Sequence, residues 1–109
     1  MKIVAVTSCA TGIAHSYMAA EAIKKAAEKA GFAVRVEIQG AMGPEDKLRQ
    51  AEIDAADVVL FANDVGIIDA RRFAAAATKT MKVSPHEVIK HPDLVIDKLR
   101  TFANGGIQK

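Results

Sequence analysis

The order of apolar and amphipathic stretches in this 109-residue chain predicts an α/β fold. Three observations carry that expectation. Residues 2–7 (KIVAVT) and 56–62 (ADVVLFA) are near-continuous apolar runs rich in β-branched residues, which suits strands buried on both faces of a parallel sheet. Residues 32–39 (FAVRVEIQ) alternate apolar and polar with a period of two. Between residues 2–7 and 32–39 lies a long alanine-rich stretch of helical periodicity. With right-handed crossovers, these segments give three layers: a four-stranded parallel sheet, order 2-1-3-4, flanked by helices. The chain is read as one domain over residues 1–109.

Taken in order, residues 12–30 predict the first helix. Ala19, Ala22, Ile23, Ala26, Ala27 and Ala30 fall on one face, and Glu21, Lys24, Lys25, Glu28 and Lys29 on the other. Gly31 supplies its stop. In residues 32–39, Phe32, Val34, Val36 and Ile38 point one way and Arg35, Glu37 and Gln39 the other. One wet face predicts an edge strand. Residues 40–44 (GAMGP) read as a turn, with Pro44 at the first position of a helix running to about Ile53. Leu48, Ala51 and Ile53 would face inward. After the central strand at 56–62 comes a loop, 63–66, at its carboxyl end. A short helix is expected at 69–73 and a fourth strand at 80–83, with 74–77 ambiguous. Ser84-Pro85-His86-Glu87 is a capping box with proline at the first helical position. Pro92 splits the remaining helical pattern in two, and 104–106 (NGG) ends it.

Composition excludes several functions. Net charge is +2, and no basic run alternates with aromatics, so nucleic acid is not an expected partner. A single cysteine rules out an intrachain disulfide, a C-x-x-C redox pair and cysteine-rich zinc sites. The apolar run at the start is far shorter than the ~20 residues of a spanning helix. A cytoplasmic protein is expected.

The lone Cys9 falls where a buried strand gives way to a helix start. In open α/β sheets, ligands bind at that edge, beside the switch in strand order. A thiol at a helix N-terminus ionises more easily than free cysteine, whose pKa is about 8.5. The bland alternative is a small buried hydrophobe. A thiolate here can take a phosphoryl group by in-line attack, and the amides of residues 10–16 can form a nest for its oxygens. Cysteine-dependent phosphatases carry C-x5-R-[ST] after a strand. Here the pattern is C-x5-H-S, with His15 in the arginine position and Ser16 in the hydroxyl position. Arginine clamps phosphate with two bonds and a permanent charge; histidine cannot do both. A loop without that clamp suits a phosphocysteine carrier better than a phosphatase. His15 is a candidate second carrier or phosphate contact. Thr11 and Ser16 are candidate phosphate contacts or simple caps. Tyr17 and Met18 are candidates for a contact rim or for core packing. Asp64 is a candidate general acid or a loop-forming residue. His86 and His91 read as surface residues.

Residues 6–22 (VTSCATGIAHSYMAAEA) closely resemble the phosphorylation-site signature of the enzyme IIB domain of the bacterial phosphotransferase system, fructose class. Gln39-Gly40, residues 55–64 and Arg72-Phe73 are also similar to that family, and the likeness spans nearly the whole chain. Proline is usual where Ala10 stands here, which loosens the loop and leaves the nucleophile in place. The resemblance implies a phosphocysteine at Cys9, with Ala10, Thr11, Gly12, Ile13, Ala14, His15 and Ser16 holding the phosphate. It implies a donor, the phosphohistidine of a IIA partner, and an acceptor, a fructose or fructose-like sugar bound by a membrane IIC permease. It implies no metal and no organic cofactor, because both steps are direct transfers. The rival readings are a small cysteine-dependent phosphatase and a non-catalytic regulatory α/β module.

Overall fold

A computed structural model of the chain describes residues 2–8, 13–40, 43–63, 66–67 and 70–103. The elements run β1 (Lys2–Ser8), α1 (Ile13–Lys29), β2 (Ala33–Gly40), β3 (Gly43–Glu45), α2 (Gln50–Ala55), β4 (Val58–Asn63), a 3-10 helix (Ala70–Lys79), β5 (Thr80–Val83), α3 (Pro85–Lys90) and α4 (Pro92–Ala103). The sheet order is β3-β2-β1-β4-β5. Its four parallel strands, β2-β1-β4-β5, reproduce the expected order 2-1-3-4. A three-residue strand, β3, adds to β2 in antiparallel fashion, with Gly40 opposite Gly43 and Gln39 opposite Pro44.

That short strand corrects the helix expected from Pro44. The proline occupies an outer strand, where its missing N–H breaks no interior ladder. Asp46 then takes a left-handed backbone (φ 53°), a conformation that aspartate tolerates better than most residues. Helix α2 begins only at Gln50, where the Arg49 N–H donates to Glu52 Oε1 at 3.0 Å. Leu48 and Ile53 are buried as expected, but Ala51 is exposed, because the helix starts later and is only six residues long. The ambiguous stretch at 74–77 belongs to the 3-10 helix, which extends well past the short helix expected there.

Burial divides the core between the two faces of the sheet. Ile3, Ala5, Val36, Ile38, Val58, Leu60 and Ala62 face α1, α3 and α4. Val4, Val6, Val59 and Phe61 face α2 and the 3-10 helix, where Phe61 meets Phe73 edge-on at 4.9 Å. Fully buried Ala19 and Ala27 let α1 lie close against the strands. Helix α1 closes with the Phe32 N–H donating to Ala27 O and the Gly31 N–H to Glu28 O, with Gly31 at φ 83°. This is the glycine stop that orphan carbonyls at a helix end call for. Ser84 caps α3 by accepting from the Glu87 N–H at 3.1 Å, and His91 separates α3 from α4. The expected NGG stop at 104–106 lies outside the described residues.

Candidate active site

Strands β1, β2 and β4 end level with one another: Ser8 pairs with Gln39 on one side and Asn63 on the other. Alternation along the three strands puts all three side chains on the α2 face, so a polar row crosses the carboxyl edge of the sheet. Ser8 and Gln39 are nearly closed to solvent. The switch in direction falls here, because β1 continues to β2 through α1 while β4 lies on its other side. Open α/β sheets bind ligands at such a point.

Between Ser8 and the start of α1 at Ile13 stand Cys9, Ala10, Thr11 and Gly12, which lie outside the described residues. So do Asp64 and the side chains of Ile13, Ala14 and His15. Ser16, the last residue of the expected loop, is fully buried in α1, and its Oγ has no hydrogen-bond partner. Thr7 Oγ1, equally buried in β1, is the other such atom among the described residues. These two unpartnered hydroxyls flank the cysteine segment in the sequence. The first amides of α1 have no intrahelical acceptor, and the helix dipole is positive at that end. Tyr17 and Met18 are exposed rather than packed in the core; with Ile89 and Pro92 they line a groove between α1 and the α3–α4 junction. His86 and His91 are exposed as expected.

The wet face expected on β2 is wet only in its first half. Arg35 is exposed, but Glu37 is fully buried and Gln39 nearly so. The carboxylate of Glu37 accepts four hydrogen bonds. Arg72 Nη1 and Nη2 reach Oε1 and Oε2 at 2.7 and 2.9 Å, the Leu48 N–H reaches Oε1 at 2.9 Å, and Gln39 Nε2 reaches Oε2 at 2.8 Å. Arg72 Nη1 also donates to Leu48 O, and the guanidinium lies 5.1 Å from the Phe73 ring centroid. Burial pushes the Glu37 carboxyl up. The bonds from Arg72, Gln39 and Leu48, with the charge of Arg72, outweigh that and hold it below the ordinary carboxylate value. Alternation placed Glu37 on the correct face. What it cannot supply is that α2 and the 3-10 helix roof that face. The isolated Arg72 beside Phe73 was the available hint of a buried partner.

Among the described residues no helix is long and apolar enough to cross a membrane, and no cluster of His, Cys, Asp or Glu could hold a metal ion.

Residues 4–98 match the family model described as "PTS system, Lactose/Cellobiose specific IIB subunit". The chain belongs to that family, the IIB domains of the phosphotransferase system, and is fructose-like within it. It is 40% identical over 98 residues to the "PTS system fructose-like EIIB component 2" of Escherichia coli K12, covering 90% of this chain and 91% of that one. It is 42% identical over 97 residues to the "PTS system fructose-specific EIIB'BC component" of Rhodobacter capsulatus, covering 89% of this chain but 16% of that much longer one. Among solved structures, a "Predicted Fructose Specific IIB from Escherichia Coli" superposes with a TM-score of 0.88 at 33% identity, over 99% of this chain and 94% of the other. Membership assigns the chain a phosphotransfer role in sugar uptake.

Proposed function

We propose that Cys9 is a phosphoryl carrier between a IIA protein and a sugar. The thiolate attacks the phosphorus of a phosphohistidine in line. The P–S bond forms as the P–N bond breaks, and the imidazole keeps the electron pair and takes a proton. In the second step a sugar hydroxyl attacks the phosphocysteine, the P–S bond breaks, and the thiolate returns as the hydroxyl loses its proton. The sugar is fructose or a fructose-like hexose, held by a membrane IIC permease; the match of this chain to one-sixth of an EIIB'BC chain supports that partnership. Residues 10–16 cradle the phosphate. Both steps are direct transfers, with no metal or organic cofactor.

The observation that carries the reading is Ser16. A buried hydroxyl left without a partner costs a protein about 1–3 kcal/mol, and this one sits in the first turn of the helix that follows the cysteine. There it is available to an anion gathered by the same helix end. Mass spectrometry after phosphorylation by the cognate IIA protein tests the proposal. The added phosphate is expected on Cys9 and is lost in Cys9→Ser. Phosphate on a histidine alone would reassign the carrier. Rapid Cys9-dependent hydrolysis of an aryl phosphate would make the protein a phosphatase instead.

A further inference from the structure

Transfer of a phosphoryl group through Cys9 does not account for Tyr17 and Met18. With Leu94 they are the large apolar side chains left exposed among the described residues. Exposed apolar surface gathered in one place marks an interaction site. Tyr17, Met18 and Ala22 of α1 form one wall of a groove, and Ile89 and Pro92, at the α3–α4 junction, form the other. Leu94 follows two residues after Pro92, in the first turn of α4. The groove runs along α1. Tyr17 stands four residues past Ile13, about 6 Å along the helix axis, and Lys29 twelve residues further, about 18 Å on. Its apolar end is therefore the end nearer the carboxyl edge of the sheet, from which α1 starts. The charged residues of the groove pair with one another, Lys25 with Glu21 at 3.8 Å and Lys29 with Asp93 at 3.6 Å, so their formal charges cancel.

That balance of charge selects the occupant. A surface that rests against a membrane gains about 1 kcal/mol for each basic residue near the anionic headgroups. A groove without net charge gains nothing there, so this face does not suit the permease side. A second copy seated in the groove would cover the helix that leads from Cys9 on both chains and shut out both transfers. A soluble protein with an apolar anchor needs no compensating charge. We infer that the groove is the docking surface for the phosphohistidine-bearing donor, the IIA protein, which seats an apolar anchor between Met18 and Pro92 while its histidine reaches the carboxyl edge of the sheet. The inference rests on the carrier reading. The anchor is small and the ion pairs beside it lie in water, which suits a complex that must part before the acceptor arrives.

The test follows transfer from the phosphorylated cognate IIA protein to Cys9 at increasing donor concentration, for wild type, Met18→Asp and Met18→Lys. Met18 is exposed on a helix, so both variants should melt near wild type. Both should raise the KM for the donor about tenfold, the equivalent of about 1.4 kcal/mol. The rate at saturating donor should stay near wild type, as removal of a docking contact requires. Alkylation of Cys9 by iodoacetamide without donor should proceed at the wild-type rate. An unchanged KM overturns the inference and leaves the carrier reading standing. A KM that rises with one charge and falls with the other shows an electrostatic contact rather than an apolar anchor, and overturns it too. Once phosphorylated, both variants should pass the group to sugar at the wild-type rate in vesicles carrying the permease; a slower sugar step gives the groove to the permease and overturns the inference. A wild-type Cys9 that takes no phosphate from the donor removes the carrier reading itself, and both fall together.

Discussion

Replacing Arg72 with methionine should destabilise the protein steeply at neutral pH and much less in acid. The magnitude follows from burial. Exposed pairs such as Lys25–Glu21, with side chains 75% and 62% accessible, are screened and contribute little. The Arg72 and Glu37 side chains are 10% and 0% accessible, so removing the arginine strands a carboxylate in the interior. Breaking a buried pair from one side costs about 3–5 kcal/mol. Of the four donors to Glu37, the variant keeps two, the Leu48 N–H and Gln39 Nε2, and both are neutral. For a domain of this size the loss corresponds to about 12–20 °C in melting temperature.

The pH dependence follows from the same contacts. In wild type the folded-state pKa of Glu37 lies below its unfolded value. The stability it contributes is therefore fully present above the unfolded value, about 4.3, and is lost as pH falls through the lowered folded value. Without Arg72, burial is opposed only by two neutral donors, and the folded pKa moves above the unfolded one. The variant then loses stability as pH rises between those two values. The gap between variant and wild type is thus widest at pH 7 and narrows toward pH 4. Urea denaturation followed by circular dichroism at both pH values measures it. A deficit below about 1 kcal/mol at pH 7, or the same deficit at both, would refute the assignment of a buried ionised pair.

Other expectations concern single contacts. Ser16→Ala should make the phosphate-free protein about 1–3 kcal/mol more stable than wild type, since it removes a buried hydroxyl without a partner. Its thermal shift on adding inorganic phosphate should be smaller than that of wild type, and an unchanged shift would count against Ser16 as a phosphate contact. Gly31→Ala should cost about 1–2 kcal/mol by chemical denaturation. The whole cost is backbone, because a Cβ there meets no atom within 4 Å while φ is 83°. Ser84→Ala removes the hydroxyl that accepts the Glu87 N–H and should cost about 1 kcal/mol, with the loss confined to faster hydrogen exchange in α3.

The parts of the fold legible in the sequence were those set by local pattern. Apolar runs marked β1 and β4 as central, alanine spacing gave the buried face of α1, and Ser84, Pro85 and Pro92 fixed the bounds of α3 and α4. Local chemistry misled at residues 43–46, where proline before two acidic residues reads as a helix start. The outer edge of β2 competes for that backbone and wins it: Gly43–Glu45 pairs antiparallel with residues 38–40 instead of starting a helix. The buried network was the harder loss. Glu37 and Arg72 are 35 residues apart, and no period links them. Only the packing of the 3-10 helix over the end of β2 makes the pair visible.

That network also bears on why a carrier and a phosphatase should differ at this edge. A phosphatase gains from a charged fork on the phosphate, since charge-assisted bonds are roughly twice as strong as neutral ones. A carrier must bind the group and then surrender it, so a fork that deepens the phosphocysteine state slows the second transfer as much as it favours the first. Histidine occupies the loop position where phosphatases place arginine. The arginine that the fold does bring close to Gln39 has both terminal nitrogens bonded to Glu37. Its charge is balanced inside the protein, and among the described residues the polar row at the edge of the sheet consists of the Ser8 hydroxyl and the amides of Gln39 and Asn63. On the carrier proposal, neutral donors of this kind would hold a phosphoryl group loosely enough to pass it on.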